Sequence, residues 1–418
     1  MLDVLLLLRA RGTALTIALC APTLLAAQSL DPVAPPERCD GQVITHIEFV
    51  RTQRELLSPR LDPVAQIVNQ TLFTLQPVTR VRLLERFLLF RAGERCDEQR
   101  RVESERVLRA QSYISDVAIR VVARDAAGVR LRVETIDEYV LYSEAWGVEG
   151  LPAGVEVGTG SVGGTGKGFR VLAELGRGSE IGWGTKFKDP QFLGRPIIFD
   201  AMISSRPYVD SWALGLARPA YTNFQRGSWG SGLSSNRGFY TLFDTAQGSV
   251  TVEYERRTAN ASGSWRLGAV NAPWFISSSF EWERAQRRRV VQIRDDGPVD
   301  IPPPAPVESR YPAYDATRIG AGVSYRRVRF MPVRGLGALS APEDIALGHD
   351  TWANIRIGIP AWQRDPADHV LSLGNSGAVG TDRALVRWNV AASMNTTRAG
   401  APYGESSIGG RTTLALKR

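Results

Sequence analysis

The sequence predicts a mainly β chain: a transmembrane antiparallel β-barrel of about 12–14 strands, preceded by one small α+β domain. Three observations predict it. Residues 1–136 hold 4 of the 40 Gly and none of the 10 Trp, so two chemically different regions meet near residue 136. Beyond residue 140 the chain alternates apolar and polar residues in segment after segment. Its N-terminus has the pattern of an export signal.

That signal is assigned to residues 1–27. Val4 to Leu8 form an early apolar block, Arg9 and Arg11 follow, and Ala14 to Leu25 form a second apolar stretch. Leu25-Ala26-Ala27 supplies small residues for cleavage. Removal of the signal takes Cys20 with it and leaves Cys39 and Cys96. A cysteine pair in an exported chain predicts a disulfide. Closing that loop is worth about 4 kcal/mol in the chain-entropy account.

The small domain is assigned to residues 39–137. Val43, Thr45, Ile47 and Phe49 alternate and predict one face of a strand. From Pro63 to Phe90 the pattern is helical, with Val81, Leu84, Phe87 and Leu88 forming a stripe. Asp97 is the expected N-cap of a helix that runs to about Ala110, with Val102, Arg106, Val107 and Ala110 at helical spacing. Ile114 to Val122 and Val129 to Glu134 read as strands joined by a turn at Asp125-Ala126-Ala127-Gly128.

The order strand, helix, helix, strand, strand carries a resemblance. Residues 93–121 (GERCDEQRRVESERVLRAQSYISDVAIRV) and 128–141 (GVRLRVETIDEYVL) resemble a POTRA domain of the outer-membrane assembly factor superfamily that includes BamA and TamA. The matching parts are Leu88-Leu89-Phe90 with Gly93, the Glu103 to Arg109 helix, and Val133, Thr135 and Asp137. The resemblance implies that Ile114 to Val122 is an edge strand. Its backbone, at Ile114, Val117, Ile119 and Val121, would accept an extended client by strand addition.

The region 140–418 is assigned to the barrel. Phe169, Val171, Ala173 and Leu175 alternate with Arg170, Leu172 and Glu174. Runs around Ile181 to Phe187, Val250 to Tyr254, Ile276 to Trp282, Ile319 to Tyr325, Ala353 to Ile359 and Ala384 to Ala392 behave alike. With flanks, each is roughly 9–11 residues, the length of a tilted membrane-crossing strand. Apolar residues would face lipid, Arg, Glu, Ser and Gly the interior, and Trp the two interfaces. Glu281 and Glu283 read as interior lining, and the Pro-rich stretch Asp295 to Tyr314 as an outward loop.

The segments 161–171 (SVGGTGKGFRV), 188–195 (KDPQFLGR) and 341–348 (APEDIALG) also resemble parts of that superfamily. The resemblance implies an inward loop motif at Val333, Arg334, Gly335 and Leu336, with Leu in place of the family's aromatic and Arg334 anchored to interior acids. Family barrels are larger and end on an aromatic strand. This chain ends TTLALKR (412–418), which predicts a C-terminally truncated or divergent member.

The chain carries 51 basic and 43 acidic residues. They are interspersed, and no basic patch forms, so no nucleic-acid partner is expected. His46, His349 and His369 form no metal-ligand spacing, and no nucleophile elbow is found. The expectation is a non-enzyme without metal or cofactor, sited in a Gram-negative outer membrane with its small domain in the periplasm. The resemblance implies assembly, insertion or translocation of client proteins. The partners would be the lipid bilayer, extended client segments, and periplasmic or lipoprotein proteins. A substrate-exporting pore and a secreted β-rich adhesion protein are the alternatives.

Overall fold

The computed structural model describes residues 37–39, 41–53, 77–148, 151–175, 181–206, 209–245, 248–294, 297–302, 313–334, 342–362, 368–381, 384–397 and 406–416. The export-signal assignment, residues 63–76 of the expected 63–90 helix, most of the 295–314 loop, and Gly335 and Leu336 lie outside the described residues; of 77–90, only Val81–Glu85 is helical, so the helix expected to run to Phe90 stops short.

The N-terminal unit consists of β1 (Ile44–Gln53), a short α1 (Val81–Glu85), α2 (Glu98–Arg109), β2 (Ile114–Asp125) and β3 (Gly128–Asp137). Its sheet order is β1-β3-β2, with β1 parallel to β3 and β2 antiparallel to it. Asp97 caps α2 as its position implies: Oδ1 accepts from the Gln99 amide at 2.9 Å and the Arg100 amide at 3.3 Å. The core gathers Ile44, Leu84, Phe87, Leu108, Ile119, Leu131 and Val133. Cys39 and Cys96 form a buried disulfide with Cα atoms 5.7 Å apart.

Two local expectations are corrected. A register shift between Ile44 and His46 inverts the alternation at the start of β1, so Ile44 is buried while Val43 and Thr45 are exposed. In α2 the packed face is Arg101, Ser104, Val107 and Leu108, and Val102 faces out. A buried arginine breaks the apolar spacing on which the sequence reading of that helix rests.

The remaining strands form one antiparallel sheet: β4 (Leu141–Val148), β5 (Leu151–Thr159), β6 (Gly168–Leu175), β7 (Ile181–Asp189), β8 (Ile198–Arg206), β9 (Val209–Arg218), β10 (Gly227–Thr245), β11 (Gly248–Leu267), β12 (Trp274–Arg294), β14 (Tyr314–Arg334), β15 (Pro342–Gly358), β16 (Asp368–Gly380), β17 (Ala384–Thr397) and β18 (Ser406–Leu416), each paired with the next. A short β13 (Gly297–Asp300) pairs with β12. Among the described residues the end strands β4 and β18 do not pair with each other.

The sheet is inside out. Along β6, Phe169, Val171, Ala173 and Leu175 are exposed, whereas Arg170, Leu172 and Glu174 are half-buried. Large apolar side chains repeat this on other strands: Trp183, Leu214, Ile276, Ile319, Ile355 and Leu373 are all exposed. A water-soluble chain rarely exposes a contiguous apolar patch beyond a few hundred Å². Here the apolar face covers strand after strand.

The opposite face is ionic. Glu156 accepts from Arg170 at 3.3 Å and Lys186 at 2.9 Å, and Glu281 from Arg318 at 3.1 Å and Arg356 at 2.6 Å. Glu283 pairs with Arg256 and accepts from the Tyr314 hydroxyl. Glu281 and Glu283 thus take the polar face assigned to them from sequence.

The central strands exceed the expected length. β10, β11, β12 and β14 run 19, 20, 21 and 21 residues. On the apolar face of β12, Trp274, Ile276, Phe280 and Trp282 place an indole at each end of one apolar band. Beyond it, on the same face of β11, Glu253 and Glu255 pair with Arg289 at 2.7 Å and Arg288 at 2.8 Å. Val250 and Val252, expected in an apolar outer face, are instead buried on the other face, in a cluster with Leu242 and Val290. The long strand carries its apolar face on opposite sides in its two halves.

Candidate functional site: the junction between domain and sheet

The N-terminal unit packs against one end of the sheet and touches turns spread across it. The Arg80 amide donates to the Gly164 carbonyl at 2.9 Å, in the turn between β5 and β6. Gly164 has φ +67°, and a Cβ there would lie 2.4 Å from the Val78 carbonyl oxygen, so glycine is required for this approach. Gln191, between β7 and β8, donates to the Leu83 carbonyl at 2.9 Å and accepts from Arg86 at 3.1 Å. Tyr221, between β9 and β10, meets Phe87 edge-on with centroids 5.5 Å apart. One small unit reaches turns from β5 to β10 and also the β14–β15 hairpin, so the sheet curls around it at this end.

The β14–β15 hairpin is an arm. Trp274, the first residue of β12, pairs with Tyr325, and β14 continues to Arg334, paired with β15 back to Pro342. Gly348 lies in the arm with φ +119°, and a Cβ there would meet the Arg327 carbonyl oxygen at 2.0 Å. The arm grips α2 and β2. Arg109 donates to both carboxylate oxygens of Asp344 at 2.7 Å. Arg334 donates to Asp116 at 2.8 Å. The Arg106 guanidinium stacks 4.1 Å from the Phe330 ring centroid and also donates to the Tyr221 carbonyl. Asp116 and Asp344 are largely shielded from solvent, which strengthens both pairs relative to surface ones.

Val333 and Arg334 therefore sit in a paired strand at the domain end of the sheet, and Arg334 binds Asp116 of the N-terminal unit. This corrects the inward-loop expectation, in which Arg334 would meet acids of the sheet's polar face. Only Val333 and Arg334 of the four-residue string lie among the described residues.

Ile114, Val117, Ile119 and Val121 do lie on an outer strand, since β2 ends the three-stranded sheet. Ile114, Val117 and Ile119 are buried and Val121 is half-buried. The edge at its centre is not unpaired. The Ile119 amide donates to Glu105 at 2.7 Å, and its carbonyl accepts from Arg101. The Val117 carbonyl accepts from Arg109 at 3.3 Å, and its amide donates to Asp116 at 2.8 Å. Every outward backbone group of these two residues is thus satisfied by a side chain.

Arg101, Glu105 and Arg109 fall at four-residue spacing on one stripe of α2. That spacing is visible in the sequence, yet it reads there as an ordinary solvated ion-pair ladder. Arg101 is fully buried and held by Glu98 at 2.6 Å and Glu105 at 2.8 Å. Burial pushes the Glu105 carboxyl above its ordinary range against the pull of Arg101 and the Ile119 amide. Burial also pushes the Asp137 carboxyl up to about 6, opposed by the Thr79 amide that it accepts from and by Arg51.

No protein-family model matches the chain, and no curated protein matches it. Among solved structures, BamA from Haemophilus ducreyi lacking POTRA domains 1–3 is 11% identical, over 85% of this chain and 56% of that one, with a TM-score of 0.35. CdiB from Escherichia coli is 12% identical, over 90% of this chain and 72% of that one, with a TM-score of 0.36. The translocator domain of the autotransporter NalP from Neisseria meningitidis is 10% identical, over 66% of this chain and 85% of that one, with a TM-score of 0.25. The chain thus spans 56% of the length of the BamA structure.

Proposed function

We propose that this chain is an outer-membrane β-barrel protein whose N-terminal POTRA-type unit faces the periplasm and assists the assembly, insertion or translocation of client proteins. The single observation that carries the membrane reading is the inside-out sheet: apolar side chains cover its open face, and ion pairs line the other. Lipid is the solvent that such a face fits, and strands are the elements that can cross it with their backbone groups satisfied by pairing. The unit packed at one end of the sheet, with three strands and two helices among its described residues, supports the client-handling part. Its partners would be the bilayer, extended client segments and periplasmic or lipoprotein proteins, without nucleic acid, metal or cofactor.

The test has two parts. Membrane fractionation with a heat-modifiability gel shift should place the chain in the outer membrane, and recovery as a soluble periplasmic protein would overturn the barrel. Deletion of residues 39–136 should lower client levels in the outer membrane of cells that depend on this protein, and unchanged levels would remove the assembly role.

A pore of the same architecture is the second reading. It is favoured by a cleft of about 600 Å³ at β14–β18 bordered by Arg326, Arg387 and Arg411. Asp344 and Asp350, which also border it, are engaged by Arg109 and Arg326 at 2.7 Å each. Steady single-channel conductance in planar bilayers would favour it.

A further inference from the structure

We propose that α2 is a displaceable stopper on the β2 edge, and that Arg109 couples its seating to the grip of the β14–β15 arm. The occupant that it holds out is an extended strand. The groups covered are alternate backbone amides and carbonyls of one strand edge, which is what an added strand would pair with.

Glu105 and Arg101 imitate the acceptor and donor of a neighbouring strand at Ile119, and Arg109 imitates the donor at Val117. A strand that enters the edge must take these places. Arg109 cannot yield its place without consequence, because the same guanidinium binds Asp344 of the arm at 2.7 Å. It also lies 4.0 Å from Asp116, which binds Arg334 from the arm's other strand. Asp116 in turn holds the Val117 amide at 2.8 Å. The outward groups of Val117 are thus shared between the edge and the arm. Opening of the edge weakens the grip, and loss of the grip opens the edge, as reciprocity between coupled equilibria requires. The seal is a property of the free protein; only its use in admitting clients rests on the proposed client role.

Amide hydrogen exchange of the full chain in detergent micelles tests this without a client. Asp344→Asn removes the charge that holds Arg109 and leaves the edge itself untouched. Exchange across residues 114–122 should rise at least about fivefold, the low end for coupled sites, while β1 (44–53) keeps its wild-type rate. In reverse, Glu105→Gln, which touches no arm residue, should raise exchange in 342–350. Faster arm exchange in Asp344→Asn with an unchanged β2 would overturn the coupling. An equal rise in β1 and β2 would mean general loosening of the unit and would also overturn it. Client levels are not read in this experiment, so its failure leaves the assembly role to its own deletion test.

Discussion

The Asp137 carboxyl, the last residue of β3, accepts the backbone amide of Thr79 from a position almost fully removed from water. The pair ties the exit of the N-terminal unit to the segment that enters α1, next to the contact of Arg80 with Gly164. It also makes this junction sensitive to pH.

A buried carboxyl with a raised pKa favours the folded state while protonated. The Asp137 contribution is complete below about pH 4, and it is lost as pH rises through about 6. The shift from 3.8 to about 6 corresponds to roughly 3 kcal/mol. Asp137→Asn keeps an acceptor for Thr79 and should flatten this dependence. Thermal melts of the detergent-solubilised chain at pH 4.5 and 7.5 check it: the variant should gain over the wild type only at the higher pH.

Charge on the apolar face should block folding into lipid. Leu373→Arg should destabilise the chain in vesicles by about 2–4 kcal/mol if the site lies near the bilayer centre. Ser372→Arg, one residue away on the polar face, should leave it near wild type. Urea titrations read by the gel shift of the folded form distinguish the two.

Gly164→Ala should loosen the unit from the sheet. The residue holds a left-handed φ against a backbone carbonyl, and relief of that contact costs roughly 1–3 kcal/mol. Limited proteolysis should cut faster in residues 77–80, with the sheet's resistance unchanged.

Reduction should loosen the start of the N-terminal unit. The disulfide spans 57 residues, and its loss typically costs about 2–5 kcal/mol in a small secreted domain. Alkylation mass spectrometry should find Cys39 and Cys96 blocked before reductant and labelled after it, with earlier melting of the reduced protein.

The strands of the large sheet were legible because their alternation is local: Phe169 to Leu175 shows its two faces in seven letters. The α2 cap was legible for the same reason. What escaped depends on register or on distant partners. A one-residue shift moved Ile44 into the core in place of Val43. Val250 and Val252 alternate as lipid-facing residues do, and only their strand's continuation to Leu267 shows that they lie on the other face. Arg101 looks solvated until β2 is packed on it. The pairing of Arg109 with Asp344 crosses 235 residues, a distance at which no spacing rule operates.

The two indoles of β12 act as a ruler. From Trp274 to Trp282 the strand advances eight residues, and at ~3.3 Å each with a tilt of ~40° the vertical rise is roughly 20 Å. A typical hydrocarbon layer is about 30 Å thick. Hydrophobic mismatch of this size costs a fraction of a kcal/mol per Å, and it sorts proteins between membranes of different thickness. The chain should therefore refold faster and more completely in vesicles of short-chain phosphatidylcholines than in those of long-chain ones. On the proposed membrane reading, its choice of membrane is written partly in the spacing of two tryptophans.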